Sequence, residues 1–159
     1  MKKLEIPYEL KAFILSFLIT LLIFLAIGKM KNRAETYRVI KILDGDTIIL
    51  ENGEKVRLIG IDAPEKNEKC YASAKSFLEE ILKDKNITLE KEWKERDNYN
   101  RLLRHVYLDG TYINLMMIKY GLATYYPTQS KYSKILLEGE KKAKEMRIGC
   151  LWENFNETS

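Results

Sequence analysis

Histidine occurs once in this chain of 159 residues, glutamine once, cysteine twice and proline three times. The two cysteines, Cys70 and Cys150, are far apart and lack the paired spacing of a zinc site. Either they form a disulfide between the first helix of the soluble part and the C-terminal tail, or they are two unpaired thiols. Sequence leaves both open. The one histidine, His105, lies in a strand pattern and reads as a packing residue rather than a catalyst. No internal repeat or low-complexity segment is present.

An excess of one charge sign is also missing where it would matter. The formal net charge is +4, but residues 1–33 carry six Lys/Arg and two Asp/Glu, which accounts for all of it. Residues 34–159 hold 21 charges of each sign. Bulk electrostatics therefore do not draw this part of the chain to a polyanion, and any nucleic-acid affinity must come from a local patch.

What is plentiful at the N-terminus is apolar surface. Ala12 to Ile27, AFILSFLITLLIFLAI, contains no charge. As a helix it would span about 24 Å, and with Leu10, Gly28 and snorkelling lysines it approaches a ~30 Å hydrocarbon core. The expectation is an uncleaved anchor through residues 10–28. The competing reading is a secretory signal, with Ala26 and Gly28 spaced like a cleavage site. Flanking Lys/Arg counts are balanced and set no orientation. Residues 29–35 read as a charged linker, which separates segment 1–33 from a domain at 34–159.

That domain begins with β patterning. Segments 36–43, 46–50 and 54–60 read as three strands joined at Asp44-Gly45 and Asn52-Gly53, dipeptides that favour hairpins because glycine accepts positive φ. Apolar residues at helical spacing predict a helix over 68–84. Segments 86–93 and 102–108 read as a fourth and fifth strand. Helices follow at 112–121, ending at Gly121, and at 130–146. The expected fold class is α+β, mainly β barrel: five strands of the OB type, about three packed helices, and one preceding hydrophobic helix.

Chemistry concentrates in VRLIGIDAPE, Val56 to Glu65. An arginine within an apolar strand is costly unless it is paired or functional, so Arg57 is either half of a structural ion pair or part of a site. Pro64 restricts Ala63 to an extended conformation. Asp62 and Glu65 flank that stiff link, and Asp46 opens the neighbouring strand. Carboxylates held together need a cation or proton between them. An all-oxygen set suits a hard cation such as Ca²⁺ or Mg²⁺. Strict alternation puts Arg57 and Asp62 on opposite faces, so the turn at Ala63-Pro64 is expected to break it. In RDNYNR, Arg101 adds a planar fork suited to phosphate. Two arginines, a cation and a carboxylate beside a water would make a phosphodiester-cleaving site.

The segments ILDGDTIIL, VRLIGIDAPE and DNYNRLLRHVYLDG resemble the three signature segments of the staphylococcal (thermo)nuclease family, and GLATYY and RIGCLWE are also similar to family segments. The likeness covers residues 36–153. It implies an OB-fold barrel and Ca²⁺-dependent hydrolysis of DNA and/or RNA leaving 3′-phosphate ends. It also implies metal ligation by Asp46, Asp62 and the Ala63 carbonyl. Glu65 would be the general base, and Arg57 and Arg101 would bind the phosphate. Tyr99, with Tyr125 or Tyr126, would line the nucleotide pocket. Asn100 departs from the family by replacing a glycine beside Arg101. No protein partner is implied, and a monomer is expected. The hazard of a nonspecific nuclease to its own cell implies an extracytoplasmic domain, anchored or secreted. Two other readings compete: a catalytically silent module that binds nucleic acid or protein at the membrane, and a structural membrane protein.

Overall fold

The computed structural model describes residues 7–30 and 35–153, with side chains left out at 25–30 and 35. It divides into two compact units, Met1–Ala34 and Glu35–Ser159. The expected linker falls mostly on 31–34, outside the described residues.

The first unit holds one helix, α1 (Tyr8–Met30). Its side chains are described as far as Phe24 and are all exposed. That stretch is about 25 Å long as a helix, against ~30 Å of bilayer hydrocarbon. Among the described residues, no helix is long and apolar enough to cross a membrane. The expected span over 10–28 is therefore not met there.

The second unit is built on β1 (Glu35–Ile42), β2 (Thr47–Leu50), β3 (Lys55–Leu58), β4 (Ile61–Asp62), α2 (Tyr71–Leu82), β5 (Asn86–Arg96), β6 (Leu102–Leu108), β7 (Thr111–Tyr112), α3 (Ile113–Lys119), β8 (Thr124–Tyr125) and α4 (Ser133–Glu145). The large sheet runs β3-β2-β1-β5-β6-β7, and a further β3–β6 pairing closes β1, β2, β3, β5 and β6 into a barrel. That closing pair is parallel, with Val56, Arg57 and Leu58 opposite Leu102, Leu103 and Arg104. Closure removes the edges that an open sheet would leave unpaired. The architecture is mixed α+β with a five-stranded barrel, as the strand count suggested.

Alternation fills the barrel. Val39, Ile48, Leu50, Val56, Leu58, Ile87 and Val106 are fully buried, and Leu78 of α2 with Met117 and Ile118 of α3 complete the core. Cys70 and Cys150 form a disulfide, which settles the question that the spacing left open. It closes a separation of 80 residues, and the chain-entropy model assigns about 4.5 kcal/mol to a loop of that length.

Two turns work differently from the sequence expectation. Gly45 does not have positive φ. Its lack of a side chain is needed for space, since a Cβ there would lie 2.6 Å from the Ala63 Cβ and 2.7 Å from the Ala74 Cβ. The break between Arg57 and Asp62 also comes earlier than Ala63-Pro64. Gly60 sits between β3 and β4 at φ 79 and turns the chain before Asp62 is reached. The barrel thus supplies a rigid wall in β3, followed by a sharp turn that folds the acidic segment back over it.

Candidate active site

Arg57 lies on the face of β3 opposite the core residues Val56 and Leu58, and pairs laterally with Thr47 of β2 and Leu103 of β6. Both of its terminal nitrogens are engaged. Nη1 donates to the carbonyls of Leu58 and Ile61, each at 2.7 Å. Nη2 lies 2.9 Å from Asp46 Oδ2 and 2.9 Å from Asp62 Oδ1. One nitrogen therefore bridges two carboxylates. The Gly60 turn makes this reachable, because it brings the Ile61 carbonyl and the Asp62 side chain back to their own strand's arginine.

Asp46 is almost fully buried at the start of β2. Its backbone N–H donates to Asp44 Oδ1 at 3.1 Å, which fixes the tight turn. Its Oδ2 accepts from the Ala63 N–H at 3.0 Å, and Oδ1 accepts from the Thr47 hydroxyl at 3.0 Å. Burial pushes the Asp46 carboxyl up to about 6, against the opposing pull of Arg57, the Ala63 N–H and Thr47. The anion is thus under-compensated by what surrounds it.

The acidic segment after the turn is held by β4 pairing with β8, where Ile61 faces Tyr125 and Asp62 faces Thr124. The Thr124 hydroxyl donates to the Asp62 carbonyl at 3.2 Å. Glu65 follows Pro64 in an exposed turn closed by Glu68. The Glu65 N–H donates to Glu68 Oε2 at 2.7 Å, and the Glu68 N–H donates to the Glu65 carbonyl at 2.9 Å. The Glu65 carboxylate itself is exposed and takes no hydrogen bond from the described residues.

Arg101 approaches from the start of β6. Asp97 holds it twice, accepting from its backbone N–H at 2.9 Å and from Nε at 2.7 Å. Burial pushes the Asp97 carboxyl up, but the bonds and charge of Arg101 outweigh this and hold it below its ordinary range. Arg101 Nη1 donates to the Thr47 hydroxyl at 3.2 Å. Thr47 thereby links Arg101 to Asp46. Asn100, which precedes this arginine, has φ 61, a left-handed conformation that asparagine tolerates. The replacement of glycine there is accommodated.

These side chains border a cleft of about 520 Å³. Arg57, Asp62, Glu65, Tyr99, Arg101 and Tyr126 line it. Asp46 and Ala63 do not reach the cleft and stand behind Arg57 and Asp62. Tyr99 is 81% exposed, with the Arg101 guanidinium 5.4 Å from its ring centroid. Tyr125 is set apart from this group. It packs against the core, and its N–H donates to Glu140 Oε1 at 3.1 Å. Of the two candidate tyrosines, only Tyr126 lines the cleft.

His105 is fully buried, with its ring nitrogens 2.7 Å from the Tyr112 hydroxyl and 2.8 Å from Glu92 Oε1. Burial lowers its proton affinity, and the bond to Glu92 offsets this only in part. The packing role expected of it is the one it has. Sequence reasoning missed Thr47, an ordinary strand residue by pattern. It also missed Asn114, whose fully buried amide donates to the Ile59 carbonyl at 2.8 Å and accepts from the Val106 N–H at 3.0 Å, tying the end of β3 to β6. For Asp97 there was a signal, its four-residue spacing from Arg101, although the loop context read as solvated.

Among the described residues, no three His, Cys, Asp or Glu side chains are grouped to hold a metal ion. The oxygen atoms that do converge nevertheless fit a hard cation. Asp46 and Asp62 already share one positive nitrogen, and the buried Asp46 anion gains from any added positive charge. Two protein carboxylates leave room for water and substrate oxygen, the ligand mixture such cations accept.

A closed OB-type barrel carrying arginines and carboxylates along one cleft defines a class of phosphodiester-handling proteins. The family model described as Staphylococcal nuclease homologue matches residues 55–154. The chain is 39% identical over 140 residues to an "Uncharacterized endonuclease" of Haemophilus influenzae, covering 86% of this chain and 76% of that one. It is 34% identical over 132 residues to the "Thermonuclease" of Staphylococcus intermedius, covering 76% of this chain and 78% of the relative. With the "Thermonuclease" of Staphylococcus hyicus it shares 31% identity over 142 residues, covering 82% and 83%. The chain belongs to the staphylococcal nuclease homologue family and is a hydrolytic nuclease by class.

The raised affinity of Asp46 for protons has a signed consequence. An acid whose folded value lies above its unfolded value stabilises the fold when protonated and costs stability once ionised. In chelator, stability should fall as pH rises from about 4 to about 6, by at most about 3 kcal/mol for a shift of this size. Asp46→Asn should lack that fall and be at least as stable at neutral pH. Denaturant midpoints across pH for the two proteins measure it. Parallel profiles would remove the claim that the Asp46 charge is under-compensated.

Proposed function

We propose that the cleft hydrolyses phosphodiester bonds of DNA and/or RNA in a Ca²⁺-dependent reaction that leaves 3′-phosphate ends. The observation that carries this reading is the Arg57 bridge between Asp46 and Asp62 at the wall of a cleft that also presents Arg101 and Glu65.

Asp46, Asp62 and the Ala63 carbonyl would hold Ca²⁺, which would supply positive charge beside the phosphate oxygens. Arg57 and Arg101 bind the same phosphate and offset the charge that builds on it. Both are pre-aimed, Arg57 by two carbonyls and Arg101 by Asp97, so little reorganisation is needed when charge develops. Glu65 has an uncommitted carboxylate and takes a proton from the attacking water. The water oxygen bonds to phosphorus, the bond to the 5′ oxygen breaks in line, and that oxygen leaves with a proton from solvent. Tyr99 and Tyr126 flank the nucleotide.

The reading extends to placement. An anchored or exported domain agrees with the exposed Phe13, Leu15, Phe17, Leu22 and Phe24 of α1 and with the Cys70–Cys150 disulfide, a bond that persists in oxidising compartments. The full chain should pellet with membranes and resist a high-salt wash, or appear outside the cell as a shortened form. Recovery as full-length protein in the soluble cytosol would overturn this placement.

Full-length protein in mild detergent should cut single-stranded DNA or RNA with Ca²⁺ and stop on chelation. Glu65→Gln should reduce the rate by roughly 10²–10⁴-fold, the usual contribution of a positioned base. The new ends should accept phosphatase treatment at the 3′ side. A folded protein that cuts no substrate with Ca²⁺, or one whose rate survives Glu65→Gln, would contradict the proposal.

A further inference from the structure

The geometry points to Trp93 as a stacking platform for a base of single-stranded nucleic acid, a few nucleotides from the phosphate that is cut. This rests on the nuclease reading above and adds a binding residue to it.

Trp93 is 76% exposed, although it lies within the long strand β5. Its ring lines the cleft together with Glu92 and Lys94 and offers there a flat apolar face. The cause of its exposure is a slip in the ladder. Lys91 faces Arg104 and Arg96 faces Leu102, so residues 92–95 stand opposite Leu103 alone. Bulges of this kind re-aim side chains, and they recur beside active sites.

The bulged ribbon is clamped just beyond Trp93, at Glu95 and Arg96. Arg104 is nearly fully buried, yet it donates to Glu95 Oε2 at 2.6 Å, to the Glu95 carbonyl at 3.2 Å and to the Leu103 carbonyl at 2.8 Å. Arg96 donates to both carboxylate oxygens of Glu54, at 2.8 and 2.9 Å, and to the Asn100 carbonyl at 2.8 Å. A side chain presented from such a braced ribbon loses little freedom on binding. The ring is therefore carried on a braced support in the cleft that Tyr99, Tyr126 and Gln129 also line.

The charge balance gives this ring a purpose. Residues 34–159 carry no net charge, so attraction for the phosphate backbone is local to the cleft, where Arg57, Lys94 and Arg101 stand. Stacking on aromatic rings supplies affinity that does not depend on net charge and accepts any base. It requires unpaired bases, which assigns this contact to single strands.

The test uses the full chain carrying Glu65→Gln, with Ca²⁺, so that strands are bound and not consumed. It is titrated with oligothymidine of about ten nucleotides and with an abasic sugar-phosphate strand of equal length. Tryptophan emission is followed in a Trp152→Phe background, which leaves Trp93 as the single reporter. The base-bearing strand should quench emission, and the abasic strand should not. Trp93→Leu should bind oligothymidine roughly 5- to 100-fold more weakly. Its salt dependence should be unchanged, because no phosphate contact is removed. Trp93→Phe should recover most of the loss. Equal affinity in Trp93→Leu, beside a parent that binds, overturns the stacking role and leaves the nuclease reading standing. No binding by the parent overturns both.

Discussion

A single guanidinium nitrogen lies 2.9 Å from each of two carboxylates, and the site is organised around that contact. Arg57 can sit in a largely buried position because two main-chain carbonyls and two acids surround it. Each of those partners needs a separate piece of the fold. The Ile61 carbonyl needs the Gly60 turn, Asp46 needs the tight approach that Gly45 permits, and Asp62 needs the β4–β8 pairing. Removing Arg57 would leave the Asp46 carboxylate buried without its cation, a kind of loss that typically costs about 3–5 kcal/mol. The arrangement nevertheless leaves Asp46 short of positive charge, a state that favours function over stability.

Much of this was legible in the sequence because the barrel is built from regular alternation. Strand β6 falls on the residues expected, and the three main helices lie inside their expected ranges. The family segments pointed to Asp46, Arg57, Asp62, Glu65 and Arg101; four of these line one cleft, and Asp46 stands behind it in contact with Arg57. Two-residue strands such as β4 and β8 were not legible, since so short a run has no period to read. Ladder slip was hidden for a related reason. Residues 94–96 continue β5 beyond the expected end at 93, held through the side chains of Glu95 and Arg96. Gly45 lacks the positive φ that its dipeptide suggested, and Gly60, which no dipeptide rule marked, has it, because a glycine's role depends on what packs against it in three dimensions. Thr47 gave no signal at all, for its value lies in the two neighbours that its hydroxyl joins.

The balance of charge separates local recognition from bulk attraction. A neutral domain can bind nucleic acid only where donors and rings converge, and here they converge on one cleft. Arg57 and Arg101 are placed by backbone carbonyls and by Asp97, so their orientation is set before any ligand arrives. Exposed aromatic surface at Tyr99, Tyr126 and Trp93 borders the same space. Acids at Asp62 and Glu65 would repel a phosphate in the absence of an added cation, so a bound cation there would couple to substrate binding.

The central claim is that Asp46 and Asp62 form a cation site beside Arg57. Calorimetric titration of the full chain with Ca²⁺, alone and with an oligonucleotide present, tests it directly. The account expects one Ca²⁺ per chain, bound more tightly with the strand present and lost in Asp46→Asn. Ca²⁺ binding that is absent under both conditions, or that is unchanged by Asp46→Asn, would contradict it.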